Sequence, residues 1–180
     1  MWRQLARWQR SFWPWCAGGR SLWLSFIMCG CLFSAIPVSA SDCPAQKITA
    51  PNFAVIEVSV RPGNQRPPIS FTVKLAETVA QRRHGLMFTP FLPQHHGMLF
   101  VFETDAVRQF WMKNTQIPLD MLFFASDGRL VNIIHSATPF SLTARNSAGP
   151  ARYVLELNAG VADEIGVQPD AKLVLPLAGQ

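Results

Sequence analysis

From residue 53 onward the chain is read most directly through its alternation. FAVIEVSV (53–60) and ISFTVKLA (69–76) place apolar side chains at about every second position, the period of a half-buried strand. The turn-rich RPGNQRPP (61–68) between them predicts that the two pair. ETVAQRRHG (77–85) breaks the alternation and predicts a short helix, with Glu77 or Thr78 as its cap and Gly85 as its left-handed stop. TPFLPQHHG (89–97) reads as a loop. Apolar strands follow at 98–103, 107–114 and 119–125. Asp127–Gly128 predicts a hairpin turn, with RLVNIIHSA (129–137) returning. After a polar loop at 138–150, ARYVLELN (151–158) predicts a strand. A short helix at 159–165 sits between Asn158 as cap and Gly166 as stop, and KLVLPL (172–177) predicts a last strand. About eight strands and two short helices, with no long helix between strands, exclude a doubly wound parallel sheet. The expected fold is mainly β (α+β), a compact antiparallel barrel or sandwich.

Residues 1–40 are unlike the rest. Four arginines and no acid precede an apolar run, LWLSFIMCGCLFSAI (22–36), and PVSA ends in small residues at Val38 and Ala40. That order predicts a signal peptide cut near Ala40 and an exported protein, periplasmic or extracellular. The apolar run has 15 residues, against roughly 20 for a spanning helix. An uncleaved N-terminal membrane anchor is the alternative. Residues 41–68 then form a lead and the first strand, and 69–177 the rest of one domain that packs with 53–60.

Cleavage changes the composition. The formal net charge of +5 owes four of its 16 basic residues to the leader, so the mature chain is close to neutral. The basic balance therefore carries no inference of nucleic-acid binding. Three of the four cysteines also leave, so the mature domain has Cys43 alone and no internal disulfide. Trp111 is its only tryptophan.

The chemistry concentrates in FWMKNTQIPLDMLFF (110–124). As two strands, its apolar residues occupy both faces, which predicts central strands with Lys113 and Asp120 at their ends across a short connection. Glu156 lies between two leucines in YVLELN. A charge beside a core has to be paired or hydrogen-bonded. Two arrangements satisfy that requirement. One is a structural ion-pair network closing the end of a barrel. The other is a polar ligand pocket lined by Arg82, Trp111, Lys113, Asn114, Asp120 and Glu156. Met87, Met98, Met112 and Met121, with His84, His95 and His96, raise Cu(I) as a third reading. Met in apolar runs ordinarily fills core gaps, however, and no HExxH or CxxC spacing accompanies them. No cofactor is implied by any motif. There is no Gly-x-Ser-x-Gly, no phosphate-binding glycine loop, and no aromatic interleaving of basic residues of the kind that binds single strands.

RRHGLM (82–87), GMLFVF (97–102), FWMKNT (110–115), IPLD (117–120), DG (127–128) and YVLELNAG (153–160) occur in order. Together they resemble the domain-of-unknown-function family 192, DUF192, over residues 69–176. His84 before GLM is a local departure from the family pattern. The resemblance implies a small, mainly β domain often carried behind a signal peptide in bacteria, with no established activity. Its motif positions fall here on Arg82, Gly85, Met87, Gly97, Met98, Trp111, Met112, Lys113, Asn114, Pro118, Asp120 and Glu156.

The expectation is an exported single-domain protein that binds a small ligand or a protein partner in the cell envelope. The alternatives are an envelope hydrolase or lyase, with Asp120 or Glu156 as base and Lys113 or Arg82 as electrostatic stabiliser, and a Cu(I)-binding protein.

Overall fold

Strand alternation builds one curled sheet. In the computed structural model, which describes residues 50–176, nine strands and two short helices run in the order β1 (Ala54–Arg61), β2 (Ile69–Ala76), α1 (Val79–His84), β3 (His96–Ala106), β4 (Gln109–Phe110), β5 (Leu119–Phe124), β6 (Leu130–Ala137), β7 (Arg145–Asn146), β8 (Ala151–Asn158), α2 (Val161–Glu164) and β9 (Lys172–Val174). Seven strands form a sheet ordered β6-β5-β8-β3-β2-β1-β9, and β4 pairs with β7 as a small ribbon. The expected leader lies outside the described residues. Within them, no helix is long and apolar enough to cross a membrane.

The sheet is antiparallel except between β2 and β3, which run parallel because α1 and a loop carry the chain across between them. Its two edges come together at one end. Arg129 bridges Lys172, Leu173 N–H donates to Gly128 O at 2.8 Å, and Leu130 N–H donates to Ala171 O at 3.0 Å. The result is a half-barrel.

Both faces of that curl are buried along β5, β8 and the first half of β3, while the outward positions of β1, β2 and β9 are exposed. One packs Val58, Val60, Phe71, Val73, Leu99, Leu122 and Leu155 inside. The other packs Leu86, Met98, Phe100, Met112, Met121, Phe123 and Val154 beneath a cover of loops and α1. β5 is buried along its whole length and lies between β6 and β8, the central position its two apolar faces predict.

Residues 107–114 depart from the expected strand. Only Gln109 and Phe110 are extended and paired, Trp111 is 55 % exposed, and Asn114 takes a left-handed φ of 55°. Two apolar side chains of this segment nevertheless join the core, Met112 sealed and Phe110 partly buried. Phe110 and Met112 pack down onto the sheet as part of its cover, while the backbone turns above them and Met112 N–H donates to Ser141 O. Apolar spacing reports burial, and here burial comes without a strand.

The helix ends divide similarly. Thr78 caps α1 in a capping box with Gln81, and Gly85 follows it with a φ of 52°. Asn158 does not cap α2, whose cap is Gly160. Its amide instead donates to Leu92 O at 2.9 Å and ties down the cover loop.

Gly97 marks the closest approach between strands. A Cβ there would meet the Glu156 carbonyl oxygen at 2.5 Å and a Leu157 methyl at 2.8 Å. Gly97→Ala is expected to lose about 2–3 kcal/mol, because a backbone atom cannot give way as a flexible side chain can. A denaturant titration that leaves the midpoint unchanged would show that β3 and β8 separate freely.

Candidate functional site

The cover does not seal the outer face. Between α1, the turn after it, and residues 109–115 lies a cleft of about 390 Å³. Phe100, Phe102 and Phe110 line it, with Phe100 and Phe110 edge to face at 4.9 Å between centroids. Arg82, Arg83, Trp111 and Lys113 line its more exposed parts, and Glu156 contributes an acid.

Glu156 is placed by strand register. β8 lies between β3 and β5, so the Glu156 side chain stands between sealed Met98 and sealed Met121. It is 4 % exposed. Among the described residues no side chain or backbone N–H bonds its carboxyl, yet none of their polar atoms is both sealed and unpartnered. The carboxyl therefore opens into the cleft. Burial pushes its pKa from the ordinary 4.5 up to about 8, with no cation close enough to offset it. At neutral pH it is a carboxylic acid, able to donate a hydrogen bond as well as accept one.

Arg82 is held rigidly. Its Nη1 donates to Val101 O at 2.9 Å and also to Glu77 O, and the guanidinium lies 5.0 Å from the centre of the Phe102 ring. Arg108, which the sequence reading passed over, sits 3.9 Å from the same ring. Its Nε donates to Ala151 O at 2.9 Å and its Nη2 to Thr104 O. Burial lowers the Arg108 pKa, and repulsion from Arg82 lowers it further. The only sequence signal for Arg108 was a lone base two places before Phe110. Among the described residues, the ion pairs are Arg129–Asp127 and His135–Asp163, so none involves Arg82 or Arg108.

Four of the six expected site residues therefore meet in the cleft: Arg82, Trp111, Lys113 and Glu156. Asn114 stands just behind. Its carbonyl accepts from Phe88 N–H at 2.8 Å and its amide reaches Met87 Sδ at 3.9 Å, which joins two loops of the cover. Asp120 is elsewhere. One of its oxygens accepts from Ser136 N–H at 2.8 Å, the other from Ala162 N–H at 2.9 Å, and it is fully buried. It ties an irregularity in β6 to the first turn of α2. The expected approach of Lys113 to Asp120 is not formed, nor is an ion-pair network among these residues. The reason is the turn at Asn114, which leaves Lys113 exposed while β5 carries Asp120 into the interior.

The methionines are split as well. Met98, Met112 and Met121 are sealed in the core, and Met87 lines the cleft. The histidines are not gathered together: His84 packs near Phe88 and Phe53, and His95 against Phe71.

The profile of DUF192, described as an uncharacterized ACR, matches residues 38–175. The chain belongs to DUF192. Two solved structures resemble this DUF192 protein. One, from Sinorhizobium meliloti and described as a candidate transcription regulator, is 42 % identical, with a TM-score of 0.65 over 67 % of this chain and 93 % of that one. The other, of unknown function from Novosphingobium aromaticivorans, is 37 % identical, with a TM-score of 0.64 over 67 % of this chain and 85 % of that one. No curated protein matches the chain.

Two outcomes separate the buried acids of this DUF192 domain. Between pH 4.5 and about 8 the folded state keeps the Glu156 proton while the unfolded state loses it, so stability falls as pH rises through that window. At about 1.4 kcal/mol per pH unit the full penalty is several kcal/mol. Glu156→Gln is expected to melt like the parent near pH 5 and several degrees higher near pH 9. Parallel melting curves across that range would mean the acid is well solvated. Asp120→Asn places an amide N–H against a backbone N–H, and is expected to lose about 2–4 kcal/mol. Urea unfolding measures it, and a loss under 1 kcal/mol would contradict the tie to α2.

Proposed function

We propose that this protein is an exported binding module of the cell envelope whose cleft holds a small ligand. The observation that carries the reading is the Glu156 carboxyl, buried in an interior strand of the sheet and turned into a cleft with no hydrogen-bond partner among the described residues. A carboxyl held where water solvates it poorly costs stability. A core position on β8 filled by leucine or methionine would avoid that cost, so the acid fits a role that a bound molecule completes. The basic, apolar-rich leader supports export, and the near-neutral mature charge fits a protein free in the envelope. The candidate regulator description of the Sinorhizobium protein is not carried over. The cations here line a concavity with an acid in it, whereas reading duplex DNA requires an element that projects into a groove.

The hydrolase or lyase alternative narrows. Both Asp120 oxygens are already bonded, which leaves Glu156 as the acid available for proton transfer. Held protonated at neutral pH, it would act as a general acid rather than as the base first expected.

Native mass spectrometry of the protein recovered from the envelope of cells expressing the full chain tests the proposal. The expected spectrum shows a species beginning at Ser41 that carries extra mass. Val79→Trp, at an exposed position of the cleft lining, and Glu156→Leu, which removes both donor and acceptor, should each release that mass while melting near or above the parent at pH 6. A bare mature mass in all three proteins counts against a retained ligand. A species that keeps residues 1–40 counts against cleavage.

A further inference from the structure

We propose that the ligand of this cleft is a small organic oxyanion, its carboxylate or phosphate held by Arg82 with Lys113 and its apolar body lying against Phe102, Phe110 and Trp111. The inference rests on the cleft being a ligand site and adds the chemistry of what enters it.

The first observation is the sign of the charge. Arg82, Arg83 and Lys113 line one cleft, Arg108 stands behind Phe102, and no ion pair among the described residues involves any of them. A general excess of base does not explain this, because the chain beyond residue 40 carries 12 basic and 11 acidic residues, leaving it nearly neutral. The cations are gathered locally. Side chains of one sign along a concave, low-dielectric wall concentrate ligands of the opposite sign.

The second observation is the way Arg82 is held. Both of its hydrogen bonds leave from Nη1, to Val101 O and Glu77 O. Nε and Nη2 make none among the described residues. Those two nitrogens form the side-on edge of the guanidinium, whose parallel N–H groups match two oxygens of a carboxylate or phosphate. A guanidinium fixed by backbone carbonyls and a ring loses little further freedom when it binds. The arginine is thus oriented before the ligand arrives.

The third observation is the lining. Phe100, Phe102, Phe110 and Trp111 present aromatic surface that a bare inorganic anion would leave uncovered, and about 390 Å³ exceeds what such an anion fills. Glu156 completes the pattern. A neutral carboxyl beneath the rings can donate to an acceptor at the far end of the ligand without repelling its anionic head. An amine ligand would pair with an ionised Glu156, but it would have to enter past Arg82, Arg83 and Lys113, none of them in an ion pair among the described residues.

Isothermal titration calorimetry tests this on the protein recovered from cells expressing the full chain, at low salt and pH 6.5. Four probes share one ring: benzoate, phenyl phosphate, benzyl alcohol and benzylamine. The expected result is that at least one anion binds about tenfold or more tightly than the alcohol and the amine, and weakens as salt is added. A preference between benzoate and phenyl phosphate tells which oxyanion the site takes. Arg82→Gln and Lys113→Gln should each weaken the preferred anion, Arg82→Gln by about tenfold or more. Lys113 is exposed, so its variant serves if Arg82→Gln unfolds. Equal binding of all four probes, or tightest binding of benzylamine, overturns the anion class. The small-ligand reading would then still be judged by the mass retained in the native spectrum. No heat from any probe also overturns the class, as does anion binding that neither variant weakens.

Discussion

A sheet whose middle strands, β3, β8 and β5, need burial on both faces is the constraint from which the rest of this structure follows. A half-barrel encloses one apolar face by curling, but it leaves the other exposed, and a sheet face of Met98, Phe100, Met121 and Phe123 cannot stand in water. Many α/β proteins cover such a face with long helices. Here α1 has six residues and α2 four, so loops must complete the cover. Loops pack less regularly than helices, and between α1 and residues 109–115 the cover stays open. The cleft is the gap this cover leaves.

That constraint explains what could be read from the chain and what could not. The strands of the sheet were legible because each alternates or is apolar on both faces, as β1, β2, β5 and β8 show. The capping box at Thr78 and the stop at Gly85 were legible because they are local. The cover was not. In FWMKNT, Phe110 and Met112 are spaced as if on a strand, and they are partly and fully buried, but their burial comes from lying across the sheet rather than within it. Hydrophobic period reports that a side chain faces a core. It does not report whether the backbone is hydrogen-bonded into the layer below. The parallel β2–β3 pair escaped for a related reason, since pairing across a crossover leaves no local mark.

The candidate site was legible in part for the same reasons. Glu156 was visible as an acid in an apolar strand, and Arg82, Trp111 and Lys113 by their company in recurring motifs. Their convergence depends on how α1 and the 109–115 segment fold back over β3, which no spacing along the chain encodes. Arg108 was invisible because its role is spatial. It stacks on Phe102 from a loop and bonds to the carbonyls of Thr104 and Ala151.

Asp120 and Glu156 show why burial alone does not identify a site. They lie on neighbouring strands, β5 and β8, and both are nearly sealed. Sequence reasoning treated them alike. Asp120 faces two backbone N–H groups that would otherwise lack acceptors, one at an irregularity of β6 and one at the start of α2. Both of its oxygens are used by the fold. Glu156 faces sulfur, rings and open space. Water at the cleft can reach its carboxyl but not solvate it well, so the proton stays. One acid completes the structure from within. The other makes no hydrogen bond among the described residues, and it stands on the wall of a cavity that it shares with Arg82, Arg83 and Lys113.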